Sequence, residues 1–489
     1  LYFNNFKELF INFYGTVVIK TIMINSRKLQ ITGLSMLSLV GSGCTDKNGS
    51  IENGVRPNIV LFLADDIGAE CFGCMGGVSY DTHIIDSLAE KSLFFPNMHA
   101  QPLSSPSRVQ LMTGLYNDKN YVCFGYMNDD EPTFSQLAQQ AGYTTGMFGK
   151  WQLGRSREMP TRLGWDEWCL FQLEVYKEFN GPTGTDRYAN CMMDNHGHYE
   201  YSIYGPDGFE SAAFEFLDKQ KDSDKPFLLY YSTPLVHTPH TPTPDSESWD
   251  LDFAGRFQKD TANFKDMVAY LDKKVGRMID RLKRNGQWEN TIFIFTSDNG
   301  TSTRIVSQMA DGTLRRGGKG DPRGIGTSVP LIICWGDKLE PRESQRLVDF
   351  TDFFPTFADA MRIAVPEEYG LDGVSLFPEI VGEKPLEKEI SLMHYNPLWP
   401  VAAAPYASRA ARTTEWKYYW DGRFYNTKTD FMEEHPIDID TCSNEIKTIY
   451  AKLKAKVEEC PNFYPDMPGA PRRGNYGTFY DFAEPNNPF

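Results

Sequence analysis

The 489-residue sequence has no excess of basic residues, no internal repeat and no low-complexity block. Its 49 Lys and Arg stand against 65 Asp and Glu, a formal net charge of −16, which argues against general binding to nucleic acid. An anionic substrate would therefore have to be drawn by a few basic groups focused in a cleft, because the global field opposes it. Cysteine is sparse as well, at nine, and its irregular spacing defines no disulfide framework. Cys71 and Cys74 form a C-x-x-C without a second pair nearby, which favours a structural role over zinc or redox chemistry. What remains is the composition of an ordinary soluble protein, 41% hydrophobic and 23% charged, long enough for a large domain and a smaller one.

The sequence also lacks a Met at its start. The first is Met23, from which the chain reads as an export signal: Arg27 and Lys28 precede the apolar stretch ITGLSMLSLV, and GSGC ends at Cys44. Small residues before that cysteine point to a bacterial lipoprotein cleavage site with a lipid anchor at Cys44. Gly41 stands where a larger aliphatic is usual, and a plain secretory signal is the alternative. Residues 1–22 have no place in this arrangement and read as an upstream extension. The apolar run LFINFYGTVVI within them is too short for a membrane span and is followed by Lys20. The expected organisation is 1–22 extension, 23–44 signal, 45–54 polar tether, 55–385 catalytic domain and 386–489 C-terminal subdomain. The expected location is the periplasm or outer membrane of a bacterium.

From Asn58 onward, apolar strand-like runs alternate with amphipathic stretches, the pattern of an α/β domain. NIVLFL (58–63), GYTTGMF (142–148), PFLLYYS (226–232), TIFIFT (291–296) and VPLIICW (329–335) read as buried strands. Met267, Leu271, Val275, Met278 and Leu282 recur at helical spacing and predict a helix over about 262–285, closed by Gly286. Thr133 to Ala141 reads as another. EWKYYWDGRFYN (415–426) predicts an antiparallel hairpin turning at Asp421-Gly422.

Polar clusters follow four of these strands: Asp65 and Asp66, Lys150, His237, and Asp298 with Asn299. Open α/β sheets bind ligands beyond the carboxyl ends of their strands, so these groups are expected to converge. The Asp-Asp pair or the Asp-Asn-Gly alone reads more readily as a turn or a helix cap. Together, Asp65, Asp66, Asp298 and Asn299 form an all-oxygen set that suits a hard cation, Ca²⁺ or Mg²⁺. In SSPSRVQLMTG (104–114), Pro106 suits a first helical turn, which puts Ser104 at a helix N-terminus where free N–H groups favour an anion. Arg108, one turn on, can return toward it.

That segment resembles the signature of type I, formylglycine-dependent sulfatases, Cys/Ser-x-Pro-Ser-Arg-x-x-Leu-x-Thr-Gly, and matches every fixed position. The resemblance continues through PNIVLFLADDIG, GKWQLG, the histidine of LVHTP, FTSDNG and RGGKG, over roughly residues 55 to 380. It implies an alkaline-phosphatase-like fold: a central mixed, mostly parallel sheet flanked by helices, with a smaller C-terminal α+β subdomain containing an antiparallel sheet. It implies that Ser104 is oxidised to formylglycine, whose hydrate is the nucleophile. A serine rather than a cysteine there implies an anaerobic radical-SAM maturating enzyme as partner. The resemblance further implies Ca²⁺ at Asp65, Asp66, Asp298 and Asn299 with the side chain of residue 104. Arg108, Lys150 and Lys319 are assigned to nucleophile and sulfate, and His237 with Lys319 to protonating the leaving oxygen.

The family commonly has GKWHLG, whereas Gln152 stands in place of the histidine. An amide still donates a hydrogen bond to sulfate but cannot shuttle a proton. Arg187, Arg316 and His394 are candidates for reading a sugar, with a salt bridge or packing as the competing role for each, and His240 is either a subsite or a loop residue. His83 reads as a surface residue. The expected reaction is hydrolysis of a sulfated carbohydrate, with a 4- or 6-O-sulfated galactose-type sugar as the first guess. Its rivals are a phosphomonoester or phosphonate hydrolase on the same scaffold, and a non-catalytic glycan-binding lipoprotein in which Ser104 stays unmodified.

Overall fold

The computed structural model describes residues 56–460 apart from 129, 155–156, 172–186, 250–255, 257–258, 386 and 397–406, and apart from the side chains of 122 and 123. The extension, the export signal with Cys44 and the tether lie outside the described residues.

The strands of the main sheet, in chain order, are β1 (Asn58–Ala64), β2 (Leu93–His99), β3 (Thr144–Lys150), β4 (Glu167–Phe171), β5 (Ala189–Asn195), β6 (His198–Tyr204), β7 (Phe227–Ser232), β8 (Thr291–Ser297) and β9 (Ser328–Trp335). Their spatial order is β2-β9-β8-β1-β7-β3-β4-β5-β6, with the short strands Arg342–Glu343 and Val348–Asp349 alongside β2. The five central strands β8, β1, β7, β3 and β4 run parallel. β9, β2 and the β5–β6 hairpin pair antiparallel on either side. The sheet is thus mixed but parallel where it is deepest.

Alternation along β1 feeds two cores. Ile59, Leu61 and Leu63 face one, and Val60, Phe62 and Ala64 the other. On the first side lie α2 (Ser104–Thr113), α3 (Phe134–Gln140) and α6 (Phe353–Met361); on the second lie α1 (His83–Glu90), α4 (Gly205–Lys219) and α5 (Phe264–Arg284). The periodic residues of α5 are all buried, and Gly286 ends it at φ +72°. Thr133 caps α3 in a capping box with Gln136. His83, at the start of α1, is exposed and bonds Asp81.

A four-stranded antiparallel sheet follows: β10 (Ser391–Tyr395), β11 (Ser408–Arg412), β12 (Trp416–Tyr419) and β13 (Phe424–Asn426), covered by α7 (Asn444–Glu458). The predicted β12–β13 hairpin turns at Gly422, φ +95°. Cys71, Cys74, Cys169, Cys191, Cys334, Cys442 and Cys460 are free thiols. Among the described residues no helix is long and apolar enough to cross a membrane.

Candidate active site

Four adjacent parallel strands deliver the polar cluster. β8 runs into Asp298 and Asn299, β1 into Asp65 and Asp66, β7 into the turn ending at His237, and β3 ends on Lys150 itself. Lys150 is held there by Gly149, whose φ is +109° and where a Cβ would come within 2.0 Å of Ser232 O on β7. α2, buried along its whole length, puts Ser104 at its first position against the same strand ends.

Ser104 is buried, and its Oγ sits among three groups: Asn299 Oδ1 at 3.1 Å, Asp65 Oδ1 at 3.3 Å and Lys150 Nζ at 3.0 Å. Lys150 Nζ also donates to both oxygens of Asp65, at 2.7 and 2.8 Å. Burial pushes the Asp65 carboxyl up to about 7 against the pull of Lys150, with Asp298 and Asp66 adding to the rise. Burial likewise lowers Lys150 to about 8 despite Asp65. Crowded, desolvated carboxylates of this kind gain from a shared cation.

Arg108 directs its hydrogen bonds to the partners around Ser104. Its Nε and Nη2 donate to Asp298 Oδ2 at 3.1 and 2.9 Å, and Nη1 donates to Lys150 O, Tyr230 OH and Ser232 Oγ. Burial would raise Asp298, but Arg108 and Lys150 outweigh it and hold the carboxyl below its usual range. Asp66 occupies the left-handed region, φ +61°. Its amide donates to Asp298 Oδ1 at 3.1 Å, and its Oδ1 accepts from Asn299 Nδ2 at 2.9 Å. An L-residue held there costs about 1–3 kcal/mol, which the surrounding bonds offset.

The opposite wall is Lys319 and His237. Lys319 Nζ pairs with Asp66 Oδ2 and stands 2.9 Å from His237 Nε2, which lies 3.5 Å from Asp66 Oδ2. His237 Nδ1 meets Thr238 O at 2.6 Å and Arg187 Nη1. Burial, then Arg187 and Lys319, keep the imidazole neutral, well below 6.5. Arg187 therefore joins the site through His237, with its guanidinium over Phe171. Gln152, at φ +55°, has a buried Oε1 without a hydrogen bond. Arg316 bonds Thr303 O at the surface, and His394 is buried on β10 in register with Arg409. His240 is buried edge-on to Phe264.

The cluster also recruits residues that carry no motif signal. Thr301 Oγ1 accepts from Gly68 N at 2.8 Å, and its carbonyl accepts from Lys319 N at 2.8 Å, tying the Asp66 and Lys319 loops together. Ser232 and Tyr230, hidden in an apolar strand run, become visible only as partners of Arg108.

The donor set fits a hard divalent cation. Asp65 and Asp66 present carboxylate oxygens close together, within 4.8 Å of each other and of a His237 nitrogen, and Asn299 Oδ1 reaches the same Ser104 Oγ as Asp65. A mixed sheet with acidic residues, an amide, two lysines and a helix-terminal serine at its parallel strand ends is the arrangement that the resemblance to the alkaline-phosphatase-like hydrolases implied.

The sulfatase family model matches residues 57–363, and the chain belongs to that family. It is 30% identical over 345 residues to the uncharacterized sulfatase YdeN of Escherichia coli, spanning 64% of this chain and 58% of that one. It is 26% identical over 439 residues to an N-acetylgalactosamine-6-O-sulfatase of Bacteroides thetaiotaomicron, spanning 73% and 83%. The solved structure of Ps i-CgsB superposes with a TM-score of 0.67 at 26% identity, covering 83% of this chain and 92% of that one. The protein is a sulfuric ester hydrolase, and the mixed sheet with its C-terminal antiparallel companion is the fold expected for one.

Proposed function

We propose that the protein removes sulfate from a sulfated saccharide, with residue 104 as nucleophile after oxidation of Ser104 to formylglycine. The observation that carries this reading is the position of Ser104 Oγ, within 3.0–3.3 Å of Lys150, Asn299 and Asp65 at a buried helix N-terminus. A plain serine so placed could attack sulfur but would stay trapped as its ester. The hydrate of formylglycine supplies one hydroxyl to attack and a second to expel sulfate.

A Ca²⁺ ion held by Asp65, Asp66, Asp298 and Asn299 together with residue 104 supplies positive charge to the sulfate oxygens when bound. The chain's own residues do the rest. Lys150 offers an ammonium beside the nucleophile. Arg108 fixes the orientation of Asp298 and adds charge from behind. The Lys319 ammonium carries the proton for the leaving oxygen, and neutral His237, whose Nε2 accepts from it, orients that proton, so the two share the acid role. Arg187 holds the His237 ring from its other side. Gln152 brings a buried acceptor without a partner, which suits a substrate hydroxyl or a hydrogen-bonded water. His394 is kept as a candidate sugar contact. The carbohydrate class follows the named relative, and serine at position 104 points to the anaerobic radical-SAM maturating enzyme as partner.

The fold also serves phosphoester chemistry in principle, so the test is a paired assay. Matured protein should hydrolyse 4-nitrophenyl sulfate and release sulfate from sulfated N-acetylgalactosamine or galactose. A preference for 4-nitrophenyl phosphate would remove the sulfatase reading. Sulfated saccharides binding without turnover, with Ser104 unmodified, would favour a binding protein.

A further inference from the structure

The loop that carries Lys319 is fastened to the C-terminal sheet around a buried carboxylate. Glu433 lies in the turn region after β13, 5% exposed and in the left-handed region at φ +53°. Its Oε1 accepts from Gly324 N at 2.9 Å and from Lys417 Nζ at 3.0 Å, and its Oε2 accepts from Tyr419 OH. Lys417 reaches on to Pro322 O at 2.6 Å, and Arg323 Nη1 donates to Met432 O at 3.2 Å. Residues 322–324 are thus gripped from β12 and from the Met432–Glu433 segment.

Between that grip and Lys319 the backbone has no slack. A Cβ on Gly326 would fall 2.0 Å from Asp321 O and 2.5 Å from Gly318 O, and one on Gly300 would fall 2.4 Å from Ile325 O. Lys319 N donates to Thr301 O, and Gly320 N donates to Pro102 O, two residues before Ser104. A displacement at Gly324 therefore has to pass through backbone contacts to Lys319.

We propose that Glu433 is a positioning residue for Lys319: by holding Gly324 and Lys417 it sets the distance from Lys319 Nζ to Asp66 and His237. This rests on the reading of Lys319 as part of the acid that protonates the leaving oxygen. Glu433 does not touch the substrate. Misplacing a reacting group by about an ångström costs on the order of a hundredfold in rate even when the change lies far from the chemistry, so the effect falls on kcat rather than on KM.

The test is a double-mutant cycle on the matured, full-length enzyme with a sulfated saccharide substrate, using Glu433→Gln, Lys319→Ala and the pair, with thermal unfolding followed on each. Glu433→Gln keeps the size and an acceptor for Gly324 N but removes the charge facing Lys417. Expected is a fall in kcat of about tenfold to a hundredfold with KM within about twofold. Expected too is no further loss when Glu433→Gln is added to Lys319→Ala, because both act through the same group. A structural defect alone would lower the active fraction equally in both backgrounds. Wild-type kcat in Glu433→Gln, or losses that multiply in the pair, would overturn the inference while leaving an impaired Lys319→Ala and the role of Lys319 intact. Full activity in Lys319→Ala would overturn the role of Lys319 and this inference with it.

Discussion

Arg108 and Asp298 form an ion pair with no solvent exposure on either side chain, Nη2 to Oδ2 at 2.9 Å, with Nε on the same oxygen at 3.1 Å. The pair joins α2, which starts at Ser104, to the end of β8, which supplies Asp298 and Asn299. The helix that starts at Ser104 is thereby tied to the acidic set at the end of β8.

Removing one partner of such a pair leaves a buried charge. Arg108→Met should destabilise the protein by about 3–5 kcal/mol, measured by denaturant unfolding. Arg108→Lys should recover part of that, because a single ammonium cannot fork to Asp298 and Ser232 together. Stability unchanged in Arg108→Met would mean that the pair is not buried as described.

Asp298→Ala takes one carboxylate from the oxygen set and the partner from Arg108. Activity should be abolished, and Ca²⁺ binding by titration calorimetry should weaken. Thermal stability of the wild type should rise with Ca²⁺ while that of the variant should not. An unchanged rate would refute the metal assignment.

His240 gives a pH prediction away from the nucleophile. Burial lowers it from 6.5 to about 4 in the folded state. The unfolded chain therefore binds a proton before the folded protein does, and the stability contributed by neutral His240 is present above pH 6.5 and lost as pH falls from there toward 4. Melting temperature followed over that window should fall with acidity, and less steeply in His240→Asn. Identical slopes would show that His240 does not titrate in this way.

Much of this arrangement was legible because motif residues follow short apolar strands. TIFIFT and NIVLFL announced β8 and β1, and the groups after them met as expected. Helix α5 was equally plain, since its apolar residues keep one face for about four turns, from Met267 to Leu282. β2 was missed because LFFPNMH contains Pro96, which lacks a ladder donor. It sits where the β2–β9 register shifts between Val329 and Leu331, a bulge that a local pattern does not reveal. Helical spacing puts Arg108 on the side of α2 that bears Ser104 but does not reveal the partner across it, Asp298. Glu433 carried no signal at all, because its meaning comes from Gly324, more than a hundred residues away.

The central claim is that Ser104 is the precursor of the nucleophile, and mass spectrometry of the tryptic peptide that contains it tests this most directly. Protein co-produced with an anaerobic radical-SAM maturating enzyme should show that peptide lighter by about 2 Da, the loss of two hydrogens on oxidation to the aldehyde, with sulfatase activity rising in proportion to the converted fraction. Full turnover of a sulfate ester by protein whose Ser104 peptide is wholly unmodified would contradict it.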